Sequence, residues 1–359
     1  MVRAKGEVRP ALLENILAQP DAIRGVAAHQ FGPGRPALMR SAEMLRTSKR
    51  IVLSGMGASL FASIPLSYML GRRGVAVSVI ETSELLYFLC PTLDADTAVV
   101  LVSRSGESVE ITKLLPILKQ RGCRVIGVVN VADSTLARQA DHTIFVNSAP
   151  DELVAIQTYS GTLATLALLG AAYLDELDST KDELRKTVTL LASRLPGCLE
   201  STALWGGLLN RGSRVYLLGR GAALASVSAG VLLMHEVAKI PVVGMSSAQF
   251  RHGPVEVVDE NFQAVVFTSQ LATAELDHAL AEDLTRIGGD IRRIGSYVRR
   301  SRIASLCVWP DDFPCRFVSI LEIVPLQLLA YQIAVARGVP TGQFRFAPAV
   351  TRSETGFSV

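Results

Sequence analysis

Ala98-Val99-Val100-Leu101-Val102-Ser103-Arg104-Ser105-Gly106-Glu107-Ser108 is an apolar run that stops abruptly in a small, hydroxyl-rich turn. An unbroken branched apolar run of this length suits a strand buried on both faces. The residues after the turn, Val109 to Gln120, have helical spacing. Strand, turn and helix in that order are one side of a βαβ unit. The unpaired N–H groups at the helix start and the serine hydroxyls favour an anion. Gly106 permits close backbone approach. From these residues alone a second use stays open, in which Ser105 or Ser108 merely caps the helix.

Working outward, the pattern recurs. Arg50-Ile-Val-Leu-Ser-Gly55 and Arg214-Val-Tyr-Leu-Leu-Gly219 are similar runs, 164 residues apart. Ala98 and Ala264 open another such pair, and Thr162 and Pro325 open two similar apolar helices. Three matched elements in one order at nearly one offset point to duplicated domains, not a solenoid. Strands are expected near 51–54, 75–79, 98–103, 125–129 and 143–146, and again near 215–218, 242–244, 264–268, 290–294 and 306–308. The fold class is therefore α/β: two tandem flavodoxin-like domains, each a five-stranded parallel sheet flanked by helices. The expected divisions are a helical lead-in (1–46), a first domain (47–175), a linking helix (176–205), a second domain (206–340) and a tail (341–359) that wraps over the body.

In such sheets ligands bind beyond the carboxyl ends of strands 1 and 3, where the strand order reverses. The loops there are Gly55-Met56-Gly57-Ala58-Ser59 and Ser103–Ser108. The first lacks the full GxGxxG spacing and an acidic ribose partner, which disfavours a dinucleotide. No cofactor is expected.

The net charge of +3 is spread along 359 residues, so nucleic acid is not an expected partner. Five cysteines without a CxxC suggest neither a disulfide framework nor a zinc site, and point to the cytoplasm. The N-terminus has no apolar signal region. Val154 to Leu174 is uncharged and long enough to span a bilayer, but its polar first half reads as a buried core helix, so no membrane is expected.

Gly57-Ala58-Ser59 after one strand and Ser-x-Ser-Gly-Glu-Ser after a later one resemble the SIS (sugar isomerase) domain, which binds phosphosugars. The lead-in Glu14-Asn-Ile-Leu-Ala-Gln19-Pro20, Glu236, Phe250-Arg251-His252-Gly253-Pro254 and Pro325-Leu-Gln-Leu-Leu-Ala-Tyr331 extend the likeness along the chain. The arrangement is similar to the isomerase half of glucosamine-6-phosphate synthase. It is also similar to the stand-alone aminosugar-phosphate deaminases, isomerases and fructosamine-6-phosphate deglycases. The resemblance implies that Ser103, Ser105 and Ser108, with the backbone of Arg104, hold a phosphate. It places Gly57, Ser59 and Ala155 along the sugar, makes Glu236 the acid/base, and gives His252 the task of opening the ring. It also implies a homodimer with shared active sites, in which His252 crosses from the neighbouring subunit. The sequence departs from the synthase in four ways. No cysteine precedes Cys90, so glutamine is not the expected nitrogen source. Gln343–Val350 holds no lysine, and Leu233 stands where a second lysine would be. Arg104 replaces a glutamine.

The residues themselves leave Glu236 two roles: structural partner of a buried backbone group or of Lys239, or a base desolvated by its apolar surroundings. His235 reads as structural, and no metal is expected at Glu236 and His252. The expected activity is isomerisation or deamination of an aminosugar phosphate or ketoamine phosphate, such as glucosamine 6-phosphate or a fructosamine 6-phosphate. The alternative is a non-catalytic phosphosugar sensor.

Overall fold

The computed structural model describes residues 10–151, 153–207, 214–296, 302–341 and 343–356. One sheet holds β1 (Arg50–Gly55), β2 (Val77–Glu81), β3 (Thr97–Ser103), β4 (Arg124–Val129) and β5 (His142–Phe145). The other holds β6 (Arg214–Gly219), β7 (Val242–Ser246), β8 (Phe262–Thr268), β9 (Asp290–Ser296) and β10 (Ser305–Trp309). The orders are β2-β1-β3-β4-β5 and β7-β6-β8-β9-β10, so the second sheet repeats the first. Every pairing is parallel. β3 and β8 sit centrally and are buried at every position, which is why Ala98–Val102 and Ala264–Phe267 are apolar without alternation.

The helices are α1 (Ala11–Leu17), α2 (Gln19–Phe31), α3 (Arg35–Arg46), α4 (Ala58–Gly71), α5 (Thr82–Glu84), α6 (Val109–Gln120) and α7 (Thr135–Gln139). They continue with α8 (Gln157–Tyr173), α9 (Thr180–Gly206), α10 (Leu224–Leu233), α11 (Ser247–Phe250), α12 (Ala274–Arg286) and α13 (Val318–Ala336). Proline in the first turn starts α2 and α3, where its missing N–H costs no hydrogen bond. The largest displacement from the sequence reading is β2, expected from Val75 but starting at Val77. Gly74 turns the chain at φ +79°, and the Val75 N–H bonds back to Leu70 O at 3.2 Å, closing α4 instead of opening a strand.

The two sheets share one continuous core. Leu66 and Leu70 of α4, Leu184 and Leu191 of α9, Val227 of α10 and Leu328 of α13 all belong to it. The linking helix α9 is thus a structural wall rather than a tether. Two apolar stretches are long enough to cross a membrane, Gly221–Ala238 and Val318–Ala336, and they are 56% and 89% buried inside the protein. α8 and α13 are apolar on all sides because protein surrounds them.

Candidate functional site

β1 and β3 are hydrogen-bonded neighbours, with Gly55 opposite Val102, so the loops that follow them emerge side by side. Gly57 has φ +51° and ψ −129°, a conformation that favours glycine, and it turns the chain into α4. Ser59 then lies in the first turn of α4, half-buried.

The serine loop is pinned from behind. Gly106 has φ +67°, and a Cβ there would lie 2.3 Å from Ser134 Oγ, so only glycine fits. The Glu107 carboxylate accepts from the Thr135 N–H at 2.5 Å and from the Thr135 hydroxyl at 3.0 Å. Asn130 N–H donates to Arg104 O at 3.1 Å. Within the loop, Ser103 Oγ accepts from Gly106 N–H at 3.0 Å, and Ser105 Oγ accepts from Glu107 N–H at 3.2 Å. Each of those hydroxyls keeps its own proton for a ligand. Ser108 occupies the N-cap position of α6, yet its hydroxyl makes no capping bond. The capping alternative therefore does not describe Ser108, whose side chain is left for other work.

Facing this loop is the end of α10. A Cβ on Gly57 would lie 3.6 Å from Leu232, so the start of α4 meets the end of α10. There α10 gives way at Met234 to one wide π turn, Met234–Ala238, that carries Glu236. π turns widen a helix locally and are frequent at functional sites. Burial pushes the Glu236 carboxyl up to about 7, against the partial opposition of the Arg104 and Lys239 charges. Arg104 also donates to Leu153 O at 2.8 Å and Ala349 O at 3.2 Å, which ties the serine loop to the segment beside Ala155 and to the tail. Asp151 holds that segment by accepting from the N–H groups of Ile156, Gln157 and Thr158. Ala155 is half-buried within it; Glu152 of the same stretch lies outside the described residues.

Gly57, Ser59, the serine loop with Arg104, and Glu236 are therefore brought to one place. His252 is not joined to them. It is exposed, in the turn after α11, and among the described residues its side chain has no hydrogen-bond or ion-pair partner. His235 is exposed and accepts weakly from Val242 N–H at 3.4 Å, as a structural residue would. Among the described residues no group of three or more His, Cys, Asp or Glu side chains is placed to hold a metal.

Two features escaped sequence reasoning. Lys239 adopts the left-handed conformation at φ +54° and ends the π turn. Its ammonium bonds the Glu236 carbonyl, and Gln343 O at 2.8 Å, rather than pairing with the carboxylate. Burial and the nearby Arg345 lower its pKa. The tail, for its part, crosses the site mouth: Thr351 O accepts from Val109 N–H at 3.1 Å, and Glu354 pairs with Lys113 and Tyr87. A lysine three residues after Glu236 was the available signal; the aperiodic tail carried none.

Residues 44–174 match the family model described as the SIS domain. The chain is 29% identical over 343 residues to the glutamine–fructose-6-phosphate aminotransferase (isomerizing) of Pyrococcus horikoshii, covering 93% of this chain and 56% of that protein. The chain thus spans little more than half the length of the curated relatives it matches. Its fold superposes on the C-terminal domain of the Francisella tularensis glucosamine-fructose-6-phosphate aminotransferase, with a TM-score of 0.82 at 20% identity, covering 95% of this chain and all of that one. It also superposes on a glucosamine-6-phosphate deaminase from Thermotoga maritima, with a TM-score of 0.70 at 19% identity, covering 92% and 96%. Residues 44–174 thus match the SIS domain, the second sheet repeats the strand order of the first, and the chain is similar along nearly its whole length to these relatives.

Proposed function

We propose that the chain is an enzyme that deaminates or isomerises an aminosugar phosphate or a ketoamine phosphate, such as glucosamine 6-phosphate or a fructosamine 6-phosphate. The observation that carries this reading is the Glu236 carboxyl, held near 7 opposite a loop of three available hydroxyls. A carboxyl at that value is part ionised at neutral pH and can both take and return a proton. In the proposed reaction Ser103, Ser105, Ser108 and the loop backbone anchor the phosphate. The opened sugar extends past Ser59, Gly57 and Ala155 toward Glu236, which moves a proton between the adjacent carbons. Arg104 holds the carboxylate partly ionised, so that it starts as a base.

Ring opening falls to His252. Its exposure and lack of a partner among the described residues of its own chain support a role at the site of a second copy, in a homodimer with shared sites. The free thiols of Cys90, Cys123, Cys198 and Cys307 suit work in the reducing cytoplasm. Incubation with glucosamine 6-phosphate and related sugars, followed by assay for ammonia and ketose phosphate, tests the reading. Ammonia release identifies deamination, and ketose formation without ammonia identifies isomerisation. Tight binding with neither product would refute the enzyme and favour the sensor.

A further inference from the structure

The second sheet repeats the first, and it has its own cavity at the matching place. The cavity is about 520 Å³ and opens beyond the carboxyl ends of β6 and β8, lined there by Gly221 and Ala222 of one loop and Gln270 and Thr273 of the other. Its opposite wall is the far end of α4. The two pockets are thus mates about a pseudo-twofold axis. α4 begins in the first and ends in the second, whereas α10 begins beside the second and ends in the first. The match holds by residue. Arg72 stands 164 positions before Glu236, the same offset that relates Arg50 to Arg214.

The chemistry is inverted. Where the first pocket presents a carboxylate, the second presents Arg72 and Arg73, joined by Arg220 and Arg316. Arginine stays protonated in proteins, so this pocket can bind an anion but cannot exchange protons with it. Two glutamates line it as well. Glu176 pairs with Arg73 and Arg316, and Glu183 with Arg316 at 3.3 Å. Arg220 is anchored from behind by buried Asp277 at 2.9 Å. Arg72 is exposed and has no side-chain partner among the described residues. The loop itself offers no serine cradle: the Ser269 hydroxyl is taken by buried Glu322, and the Thr273 hydroxyl by Asp277. Pro65, Tyr68 and Met69 give the cavity an apolar side. Its volume is that of a small-molecule site.

We infer that this cavity is a second, non-catalytic binding site for a small organic phosphate. The phosphoryl group sits on Arg72 and Arg73, whose guanidinium groups suit bidentate contact with phosphate oxygens, and the body of the ligand lies against Tyr68. The test is calorimetric titration with inorganic phosphate and with adenosine monophosphate. Four proteins are compared: wild type, Ser103/Ser105/Ser108→Ala, Arg72→Ala/Arg73→Ala, and the variant combining all five changes. The serine variant should still bind at millimolar or lower concentration. Adding the arginine changes should weaken that binding at least tenfold, and adenosine monophosphate should bind more tightly than inorganic phosphate. Arg72 and Arg73 are exposed, so the ligand-free melting temperature should not move. If the serine variant binds neither probe, or binds them equally well with and without the two arginines, the inference fails. Failure of the serine loop alone would show as wild type and serine variant binding alike, which leaves this test intact.

Discussion

Replacing Glu236 with glutamine should stabilise the protein in alkali while removing its activity. The wild-type carboxyl rises from an ordinary 4.5 to about 7 because burial penalises its charged form. A group with a raised folded pKa binds more protons in the native state than in the unfolded state between those values. Stability therefore falls as pH climbs from 4.5 through 7, and the loss is complete above 7. Each pKa unit corresponds to about 1.4 kcal/mol, so the full cost of holding Glu236 ionised is on the order of 3 kcal/mol. Partial solvent access at this half-buried group brings the expected figure nearer 2 kcal/mol. Glutamine has the same shape and no charge to desolvate. Urea unfolding at pH 8 should therefore show Glu236→Gln more stable by about 2 kcal/mol. At pH 4 the two proteins should differ little, because there the wild-type carboxyl is protonated in both states. Turnover on the best substrate should drop by about 10²–10⁴-fold, with ligand binding retained. Equal stability differences at pH 4 and pH 8 would refute the desolvation argument. Near wild-type turnover would refute the catalytic role.

Ser103/Ser105/Ser108→Ala should abolish thermal stabilisation by sugar phosphates and leave the ligand-free melt unchanged; a full ligand response would place the phosphate elsewhere. Gly106→Ala combines a φ of +67° with a Cβ 2.3 Å from Ser134 Oγ, and should cost about 2 kcal/mol or more in urea unfolding along with loss of ligand binding. Arg104→Ala removes a charge that lowers the Glu236 pKa, so the acid limb of the rate profile should move to higher pH; an unmoved limb would exclude Arg104 from tuning the carboxyl. Mixing Glu236→Gln with His252→Ala subunits should restore activity if the sites are shared, whereas an inactive mixture would assign His252 to its own chain.

The strands and their order were legible because parallel strands buried on both faces carry continuous apolar runs, as Ala98–Val102 and Ala264–Phe267 do. The place of the serine loop was legible, because it follows β3 and leads into α6, but its use was not: the same hydroxyls could cap the helix, and the resemblance, not the residues, pointed to a phosphate. Glu236 could be placed but not weighed, since a carboxylate in an apolar run becomes a base or a partnered acid according to neighbours distant in sequence. Arg104, which faces it, is 132 positions earlier. Less legible still was the π turn, whose register depends on how α10 packs against α4 rather than on local propensity. A tail that wraps over the body was expected, but most of its contacts at the site were invisible because they run through backbone carbonyls of Gln343, Ala349 and Thr351, which any residue supplies; Glu354 adds a side-chain contact to Lys113 and Tyr87. The second cavity left only a trace, the double arginine at the end of α4, whose meaning appears once the pseudo-twofold sets it opposite Glu236.

Isotope exchange reaches the central claim by the shortest route, because isomerisation and deamination share one step, proton transfer at the carbon beside the opened sugar's carbonyl. In D2O, with glucosamine 6-phosphate followed by nuclear magnetic resonance, wild type should exchange the hydrogen on that carbon for deuterium. Glu236→Gln should bind the sugar and leave the hydrogen in place. Exchange at the same rate in both proteins, or tight binding by wild type with no exchange at all, would contradict the account.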